Sequence, residues 1–456
     1  MQRRDFIINS FLGGSALVVG CKEKDPYAQR KYEGQIAIIG AGAAGVYAGY
    51  LLEEKGANYT IFEASDQIGG RIRSLKGFTD FDIELGADKI RGKSSLWYDW
   101  AKESGATFVT PVSTTDYFQV GGLPRTEAQL KGDLDFRDAL LLTNQARNYT
   151  AADITLQQYI INNKLPTRVQ HIPNALISNE YGTSASRLSL VGIAEEEQIK
   201  SSGNDIIEIA NRSLLSVLEE KCKNVIPKIV FNKPIKKIDF SNELIVLEDD
   251  QGQRRFVNKV IITVPLSILQ SNELQFAPAL PDTKIAAIKN IGIGAGMKIV
   301  LSFSRRFWES DMAVIYPSGI VPKYQVSSNG KSTKSFVLTA VVMGEKAETL
   351  SSQTNVAIVQ NLLKDLDNLF GNGVASASFT NARVMDWGKE PFIKGSYSYP
   401  IVGGGGLLTR QALSQPVLRK LYFAGEATHY GGHSGTVHGA MESSRRAVEE
   451  LLRDVT

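Results

Sequence analysis

A glycine-spaced turn between an apolar run and a helical pattern constrains this chain more than any other feature. The apolar run, residues 36–39, has the length and the β-branched content of a buried strand. Gly40, Gly42 and Gly45 follow it in G-x-G-x-x-G spacing, and an amphipathic helical pattern begins there. This succession predicts the first strand, turn and helix of a dinucleotide-binding unit.

The three glycines have separate mechanical roles in such a unit. Gly40 permits the tight turn, Gly42 lets the backbone approach a pyrophosphate, and Gly45 lets the helix pack close to the strand. The helix N-terminus offers free N–H groups and a positive dipole end to the phosphates. A second strand, residues 59–62, ends on Glu63, whose carboxylate we expect to accept hydrogen bonds from a ribose. The alternative is a glycine-rich turn without a ligand, but it does not explain why Glu63 stands at the end of the second strand, where such units carry an acidic residue.

Length and charge limit what the rest of the chain can be. The 456 residues are 43% hydrophobic and 22% charged, which suffices for two domains with sizeable cores. The formal net charge is only +3 and long basic runs are missing from the sequence, so we expect no nucleic-acid partner. The two cysteines, Cys21 and Cys222, give no basis for a disulfide framework.

The first 28 residues have the features of an export signal and a lipoprotein tether. Arg3 and Arg4 precede an apolar stretch that is too short to span a bilayer. The R-R-x-F-I run resembles a twin-arginine signal, and V-V-G-C resembles a bacterial lipobox that ends on Cys21. We therefore predict a cell-envelope lipoprotein, lipidated at Cys21 and attached to the membrane through that lipid. An uncleaved signal anchor is the alternative.

Two later stretches resemble those of a known family. Glu63 is followed by Gly69-Gly70-Arg71, which resembles the E-x-x-x-x-x-G-G-R signature of the flavin amine oxidases. The C-terminal run LYFAGEATHYGGHSGTVHGA is similar to the F-A-G-E-x-T and T-V-H-G-A pair of polyamine oxidases and histone demethylases. The resemblance covers nearly all of residues 34–452, and it implies FAD rather than NAD as the cofactor.

The resemblance also implies which residues contact FAD. Arg71 helps to neutralise the pyrophosphate, and the backbone of Ile235 contacts the adenine. Ser396 stands where monoamine oxidases carry the cysteine that binds the flavin covalently, so we expect FAD to be bound non-covalently. The residues assigned to the cofactor are Gly40, Gly42, Ala44, Gly45, Glu63, Ala64, Gly70, Arg71, Gly86, Ala87, Asp88, Ile235, Gly425, Glu426, Thr436 and Val437.

The fold that the resemblance implies is an α/β fold in two parts. One part is a Rossmann-like FAD-binding domain built from discontinuous segments, and the other is an α+β substrate domain. Residues 34–95, 204–280 and 395–456 are assigned to the first domain, with a helix expected over 207–221. Residues 96–203 and 281–394 are assigned to the substrate-binding domain.

Lys298 is the candidate catalytic residue. It is a lone charge inside an apolar, strand-like run, so its burial requires a partner. In flavin amine oxidases a lysine in this context holds a water against flavin N5. The alternative is an outward-facing lysine on an edge strand. The resemblance also assigns Tyr397 and Trp387 to the substrate cavity.

Lys89 and Arg91 depart from the polyamine oxidase pattern, which carries W-I-H at this point. Two cations near the cavity repel a polycationic amine, and we assign Lys89 to the substrate site. In the alternative interpretation one or both side chains point to solvent. Because the two residues are two apart, we expect them to share a side of an extended segment.

The implied reaction is oxidation of an amine C–N bond to an imine by hydride transfer to flavin N5, with O₂ as the expected acceptor. Three alternatives stay open. An L-amino-acid oxidase would bind the substrate carboxylate with Lys89 or Arg91. A desaturase or porphyrinogen-type oxidase shares the Rossmann signals, and a non-catalytic lipoprotein would keep FAD only as a structural core.

The histidines near the C-terminus, His429, His433 and His438, invite a metal interpretation. We predict no metal, because the sequence places no obvious carboxylate or cysteine cluster beside them and the family needs none. The isolated His171 is expected to be structural.

Overall fold

The computed structural model describes residues 32–109 and 114–454 of the chain. The predicted export signal, the lipobox and Cys21 therefore lie outside the described residues. Within the described ranges, every helix is too short or too polar to span a bilayer.

The described chain contains both helices and strands, in runs of one type as well as in alternation. In chain order the α-helices are α1 (Ala43–Glu54), α2 (Leu96–Glu103), α3 (Leu134–Ala146), α4 (Leu156–Asn162), α5 (His171–Pro173), α6 (Leu190–Ile199), α7 (Leu214–Lys221), α8 (Leu266–Gln270), α9 (Asp282–Lys289), α10 (Glu345–Ser351), α11 (Asn355–Phe370), α12 (Val374–Ser378), α13 (Leu407–Ser414) and α14 (Val437–Asp454). The strands are β1 (Ile36–Ile39), β2 (Tyr59–Phe62), β3 (Ser74–Leu75), β4 (Ile83–Glu84), β5 (Ile90–Arg91), β6 (Thr115–Phe118), β7 (Arg125–Thr126), β8 (Ile206–Ile207), β9 (Ile229–Val230), β10 (Ile235–Asp239), β11 (Ile245–Asp249), β12 (Arg254–Val257), β13 (Lys259–Ile262), β14 (Gln275–Ala277), β15 (Gly292–Ile293), β16 (Gly296–Phe303), β17 (Met312–Tyr316), β18 (Lys323–Val326), β19 (Phe336–Met343), β20 (Phe379–Asp386), β21 (Ser398–Tyr399) and β22 (Leu421–Phe423).

A five-stranded parallel sheet in the order β22-β13-β1-β2-β9 forms the first layer. Strand β1 lies in the middle, and all four of its side chains are buried. A parallel strand covered on both faces has to be apolar throughout, which explains the unbroken run of residues 36–39. The chain leaves β1 for β2 on one side, while β13 lies on the other, so ligands are expected at the carboxyl ends of these strands.

A seven-stranded mixed sheet in the order β20-β16-β19-β18-β17-β6-β7 forms the second large layer. Strand β16 lies between β19 and β20, with Lys298 opposite Val341 and Met385. The alternative that placed Lys298 on an edge strand is therefore wrong. The α/β fold with a Rossmann-like unit, by contrast, is confirmed.

The prediction of a helix over 207–221 is confirmed only for its second half. Residues 206 and 207 form β8, which pairs with β5, and the helix begins at Leu214. The Ser213 side chain accepts a hydrogen bond from Ser216 N and thus caps the helix there. The two isoleucines before this cap are β-branched and suit a strand better than a helix.

Some side chains pack across the domain limits that were predicted from the sequence. These limits stay a prediction. Helix α2 was assigned to the substrate domain, yet Trp97 and Trp100 belong to the core that contains α1 and β1. The Trp100 ring meets the Tyr47 ring edge-on, with 5.1 Å between centroids. The first segment of the FAD side therefore extends in packing beyond residue 95.

Candidate active site

A cavity of about 1420 Å³ runs from the carboxyl ends of the parallel sheet to the seven-stranded sheet. Of the residues assigned to FAD, all except Gly45 line it. These lining residues are Gly40, Gly42, Ala44, Glu63, Ala64, Gly70, Arg71, Gly86, Ala87, Asp88, Ile235, Gly425, Glu426, Thr436 and Val437. The residues assigned to the substrate side, Lys89, Lys298, Trp387 and Tyr397, line the same cavity.

The glycine turn after β1 has the shape that a pyrophosphate requires. Gly40 adopts a φ of +104°, which disfavours any side chain. A Cβ added to Gly45 would lie 1.8 Å from Gly40 O, so α1 packs directly on the turn. A Cβ added to Gly42 would meet only Gly69 O, at 4.0 Å, among the described atoms. The space beside Gly42 therefore opens to the cavity at the N-terminus of α1, as bound FAD requires.

Glu63 is held firmly at the end of β2. One carboxylate oxygen accepts from Ala41 N at 2.6 Å, and the other accepts from Ser65 N and Ser65 Oγ. A carboxylate offers about four acceptor positions, so one remains for a ribose hydroxyl.

A second helix N-terminus faces the other part of the cavity. The Thr436 hydroxyl accepts from Gly439 N at 3.0 Å and donates to His433 O at 2.7 Å, so Thr436 caps α14. Thr436 and Val437 line the cavity at this point. Free N–H groups and the positive end of the α14 dipole are therefore available to electronegative atoms of a bound flavin.

Glu426 anchors the glycine-rich segment between β22 and α14. Its buried carboxylate accepts from Arg71 at 3.0 Å, from the Ser398 hydroxyl at 2.6 Å and from Gly435 N at 2.9 Å. Burial opposes its ionisation, but Arg71 and Arg410 hold the pKa of this carboxyl below its ordinary value. Arg71 also donates to Ser396 O at 2.6 Å, so this arginine joins the pyrophosphate region to the substrate side.

Lys298 has a partner for each of its N–H groups. Its Nζ lies 2.9 Å from an Asp88 carboxylate oxygen, 2.7 Å from Gly86 O and 3.3 Å from Glu84 O. Burial opposes the ionisation of Asp88, but Lys298 and Lys89, with a hydrogen bond from Gln325, together keep the pKa of Asp88 well below its usual range. Asp88, assigned from the sequence to the cofactor, is thus the ion-pair partner of Lys298. A water bound to this lysine would have to share an N–H group with the protein.

The two aromatic residues of the substrate side are fixed by backbone carbonyls. The Tyr397 hydroxyl donates to Glu180 O at 2.7 Å, and Trp387 Nε1 donates to Leu85 O at 3.0 Å. The indole lies against the Gly86 segment, where an added Cβ would be 3.0 Å from the ring. Trp387 therefore supports the segment that carries Asp88, besides forming part of the wall.

The cavity wall contains charged residues that the sequence did not single out. Glu180 accepts from Arg91 at 3.0 Å and from Lys323 at 2.6 Å, whereas Lys89 lies 3.9 Å from Glu208. Both Lys89 and Arg91 line the cavity, which argues against the alternative that they point to bulk solvent. Lys323 could have been found from the sequence, because it is a single cation among largely apolar neighbours, as Lys298 is. Glu180 carried no such signal.

The histidines near the C-terminus have a carboxylate beside them, contrary to the expectation from the sequence. Glu442 lies 2.8 Å from His429 Nε2 and 2.9 Å from His433 Nδ1. The other ring nitrogens accept backbone N–H groups, from Gly431 and His433 for His429 and from Ser201 and Ser202 for His433. Each proton therefore sits on the nitrogen that faces Glu442. In this arrangement the nitrogens that face Glu442 act as hydrogen-bond donors, although the ligand atoms of His429, His433 and Glu442 all lie within 4.8 Å of one another.

Two sequence profiles match parts of the chain that contribute residues to the cavity. The profile described as flavin containing amine oxidoreductase matches residues 218–452, which is just over half of the chain. The profile described as NAD(P)-binding Rossmann-like domain matches residues 38–103.

Individual relatives are distant but extend over most of the chain. Probable polyamine oxidase 4 from Arabidopsis thaliana is 25% identical over 456 residues, covering 93% of this chain and 88% of that protein. Lysine-specific histone demethylase 2 from Homo sapiens is 27% identical over 449 residues, covering 91% of this chain and 53% of the demethylase. The chain thus spans about half the length of that relative.

Solved structures share the fold. Cyclohexylamine oxidase from Brevibacterium oxydans superposes with a TM-score of 0.77 at 18% identity, covering 93% of this chain and all of the other. Wild-type putrescine oxidase bound to putrescine gives a TM-score of 0.74 at 17% identity, with the same coverage. The profile match and the geometry of the cavity lead to one conclusion: the chain belongs to the flavin-containing amine oxidoreductase family and uses FAD as its cofactor.

Proposed function

We propose that this protein oxidises a small-molecule amine, converting its C–N bond to an imine that water then hydrolyses, with O₂ as the electron acceptor. The observation that carries the proposal is Lys298, a buried cation held in the cavity wall beside the Gly86 segment. When bound, FAD supplies the hydride acceptor. The chain itself has to bind the amine, orient it and exclude water.

The wall around Lys298 is suited to this task because its groups are already fixed. Asp88 and two carbonyl oxygens hold the ammonium, and the Tyr397 hydroxyl is held by Glu180 O. Fixed charges and dipoles need no reorganisation when the substrate reacts, which lowers the barrier. An amine that enters in its neutral form needs no dedicated protein base, so we assign none.

The charged wall also separates the alternatives. A desaturase or porphyrinogen-type substrate is largely apolar, and it would displace water from the paired ions Arg91, Glu180 and Lys323 without offering them hydrogen bonds in return. A substrate with polar or charged groups fits this wall better. We therefore favour amine or amino-acid oxidation over oxidation of an apolar compound.

An anaerobic titration of the purified holoenzyme tests the proposed reaction. A set of monoamines, polyamines and L-amino acids is added, and the visible absorbance of the flavin is followed. We expect bleaching with at least one class, followed by release of peroxide and of the carbonyl product when air is admitted. If every amine leaves the flavin oxidised, the protein is not an amine oxidase. Bleaching without peroxide would mean that O₂ is not the acceptor.

We also propose that the protein is exported in a folded state and attached to the cell-envelope membrane through Cys21. The support is the twin-arginine pattern and the V-V-G-C run alone. Several acyl chains of a bacterial lipoprotein would give stable attachment, whereas one chain binds a membrane weakly. Expressed in a bacterial host, the full chain should partition with membranes and Cys21→Ala should not. Equal partitioning of the two proteins would rule out lipidation at Cys21.

A further inference from the structure

The cations at the substrate end of the cavity differ in how they are neutralised. Arg91, Lys298 and Lys323 each have a carboxylate oxygen within 3.0 Å. Lys89 lies in the same wall with its side chain 17% exposed, but its nearest carboxylate among the described residues, Glu208, is 3.9 Å away. That separation is too long for a hydrogen bond. Lys89 therefore keeps N–H groups that can bind a ligand in the cavity.

The neighbouring acids are unable to neutralise Lys89 closely. Both oxygens of Glu180 are occupied, by Lys323 and Arg91, and one oxygen of Asp88 accepts from Lys298 and Gln325. Asp116 lines the same cavity and attracts Lys89, but among the described residues only Glu208 has a carboxylate within ion-pair distance of Lys89.

The environment of Lys89 disfavours a free charge there. Burial, followed by repulsion from Lys323, lowers the pKa of Lys89 below its ordinary value, although Asp88, Glu208 and Glu180 attract it. A desolvated cation without a close counter-ion is costly, and an anionic ligand would remove that cost.

We propose that Lys89 binds an acidic group of the substrate, so that the amine oxidised here also carries a carboxylate or a similar anion. A polyamine would instead bring a second cation towards Lys89 and Lys323, which repel it. This inference rests on the proposed amine oxidation and narrows its substrate class. It separates the chain from relatives that are named polyamine oxidases. It also separates Lys89 from Arg91, which already has Glu180 as its partner.

A matched series of substrates tests the inference on the purified holoenzyme. For each chain length, an unbranched ω-amino acid is compared with the alkylamine and the diamine of the same number of chain atoms, and L-amino acids are included. We expect the parent to prefer an amino acid over the matched alkylamine, and the alkylamine over the diamine. Lys89→Met should lower kcat/KM for the amino acid about ten- to a hundredfold, mainly through KM. The alkylamine should change less than about twofold, the diamine should improve, and Lys89→Arg should restore most of the loss.

Lys93→Met is the control for loss of one positive charge. Lys93 is near in sequence, but its side chain is 62% exposed and pairs with Asp205 at 3.0 Å. This variant should leave all three substrate classes unchanged. Equal effects of Lys89→Met on all classes, or a parent that prefers diamines, would overturn the inference.

A binding measurement keeps the inference testable when none of the amines is oxidised. Short alkanoates and dicarboxylates are titrated into the holoenzyme, and binding is followed by calorimetry and by perturbation of the flavin spectrum. The parent should bind at least one of them, and Lys89→Met should bind it about tenfold or more weakly. Equal binding, or none by the parent, counts against Lys89. If none of the amines is oxidised but anion binding still depends on Lys89, the proposed reaction is refuted and the inference about Lys89 is not.

Discussion

The two ends of the cavity are built in different ways. The nucleotide end consists mainly of backbone from one continuous stretch, in which β1, the glycine turn, α1 and β2 follow each other directly. The substrate end consists of side-chain ion pairs between distant segments. Arg91 and Glu180 are 89 residues apart, and Glu180 and Lys323 are 143 residues apart. The first end depends on local geometry, and the second depends on the assembly of the whole chain.

This difference explains why relatives can share a cofactor and differ in substrate. Glycine spacing and a helix N-terminus recognise a pyrophosphate whatever surrounds them. An ion pair in a cavity wall changes character when one partner changes, because the other is left buried and uncompensated. The variants below test each end separately, in order of decreasing expected effect.

The largest effects are expected from valine at two glycines of the nucleotide end. Gly42→Val should fold but lack flavin, because its φ of −71° suits valine while the side chain would occupy the pyrophosphate space. Gly45→Val should fail to fold, since its Cβ would lie 1.8 Å from Gly40 O. The flavin-to-protein absorbance ratio and far-UV circular dichroism distinguish the two outcomes. A flavin-loaded Gly42→Val protein would show that this glycine does not border the cofactor.

A second all-or-none outcome is whether the flavin is bound covalently at Ser396, where the nucleotide end of the cavity meets the substrate end. Ser396 replaces the cysteine that binds the flavin in covalent relatives, and its hydroxyl donates to Gly294 O at 3.0 Å. A serine hydroxyl without an adjacent base is a far weaker nucleophile than a cysteine thiol, so acid precipitation should release all of the yellow colour into the supernatant. Colour that stays with the precipitated protein would contradict non-covalent binding.

An intermediate effect is expected at the Lys298–Asp88 pair. Lys298→Met leaves Asp88 without its main counter-ion, which should lower the free energy of unfolding by about 3 kcal/mol. Asp88→Asn should cost less, because Lys298 keeps the carbonyls of Gly86 and Glu84 as acceptors. In urea unfolding of the holoenzyme, the double variant should be clearly more stable than the sum of the single effects predicts. Strict additivity would show that the pair contributes no coupling energy.

The sequence was informative where a local rule decides the structure. The bounds of β1 and β2 and the roles of Gly40 and Gly45 followed from spacing, period and glycine chemistry, whereas the two-part α/β fold was implied by the family resemblance. The burial of Lys298 was also expected, because a lone charge in an apolar strand demands a partner. The identity of that partner was not expected. Asp88 lies between β4 and β5, and it reaches Lys298 only when the chain has folded.

The failures have a common physical origin. Glu442 lies next to His429 and His433 because α14 turns back along the loop that carries them, and no spacing rule foretold this contact. Glu180 lies in a turn, where no apolar period marks it as a cavity residue. Long-range side-chain pairing therefore requires the fold, whereas turns, caps and strand periods are visible in the chain itself.

The smallest effect is expected at Glu84, which connects the two ends. Its backbone oxygen accepts from Lys298, while its carboxylate contacts Leu214 N at 2.7 Å and the Ser74 hydroxyl at 2.6 Å. Burial raises the pKa of Glu84 from 4.5 to about 7, although Ser74, Leu214 and Lys298 oppose the shift. The folded state therefore binds the proton more tightly than the unfolded state.

The sign of the pH dependence follows from this raised pKa. Stability from protonated Glu84 is fully present below the unfolded value near 4.5 and is lost as the pH rises through about 7. Glu84→Gln mimics the protonated form at every pH, since its amide can donate to Ser74 and accept from Leu214 N. Between pH 5 and pH 8 the holoenzyme parent should lose about 2.5 kcal/mol relative to Glu84→Gln, measured by urea unfolding at each pH. A difference that does not change with pH would mean that Glu84 stays ionised beside Lys298, and its carboxylate would then belong to the charged network of the substrate end.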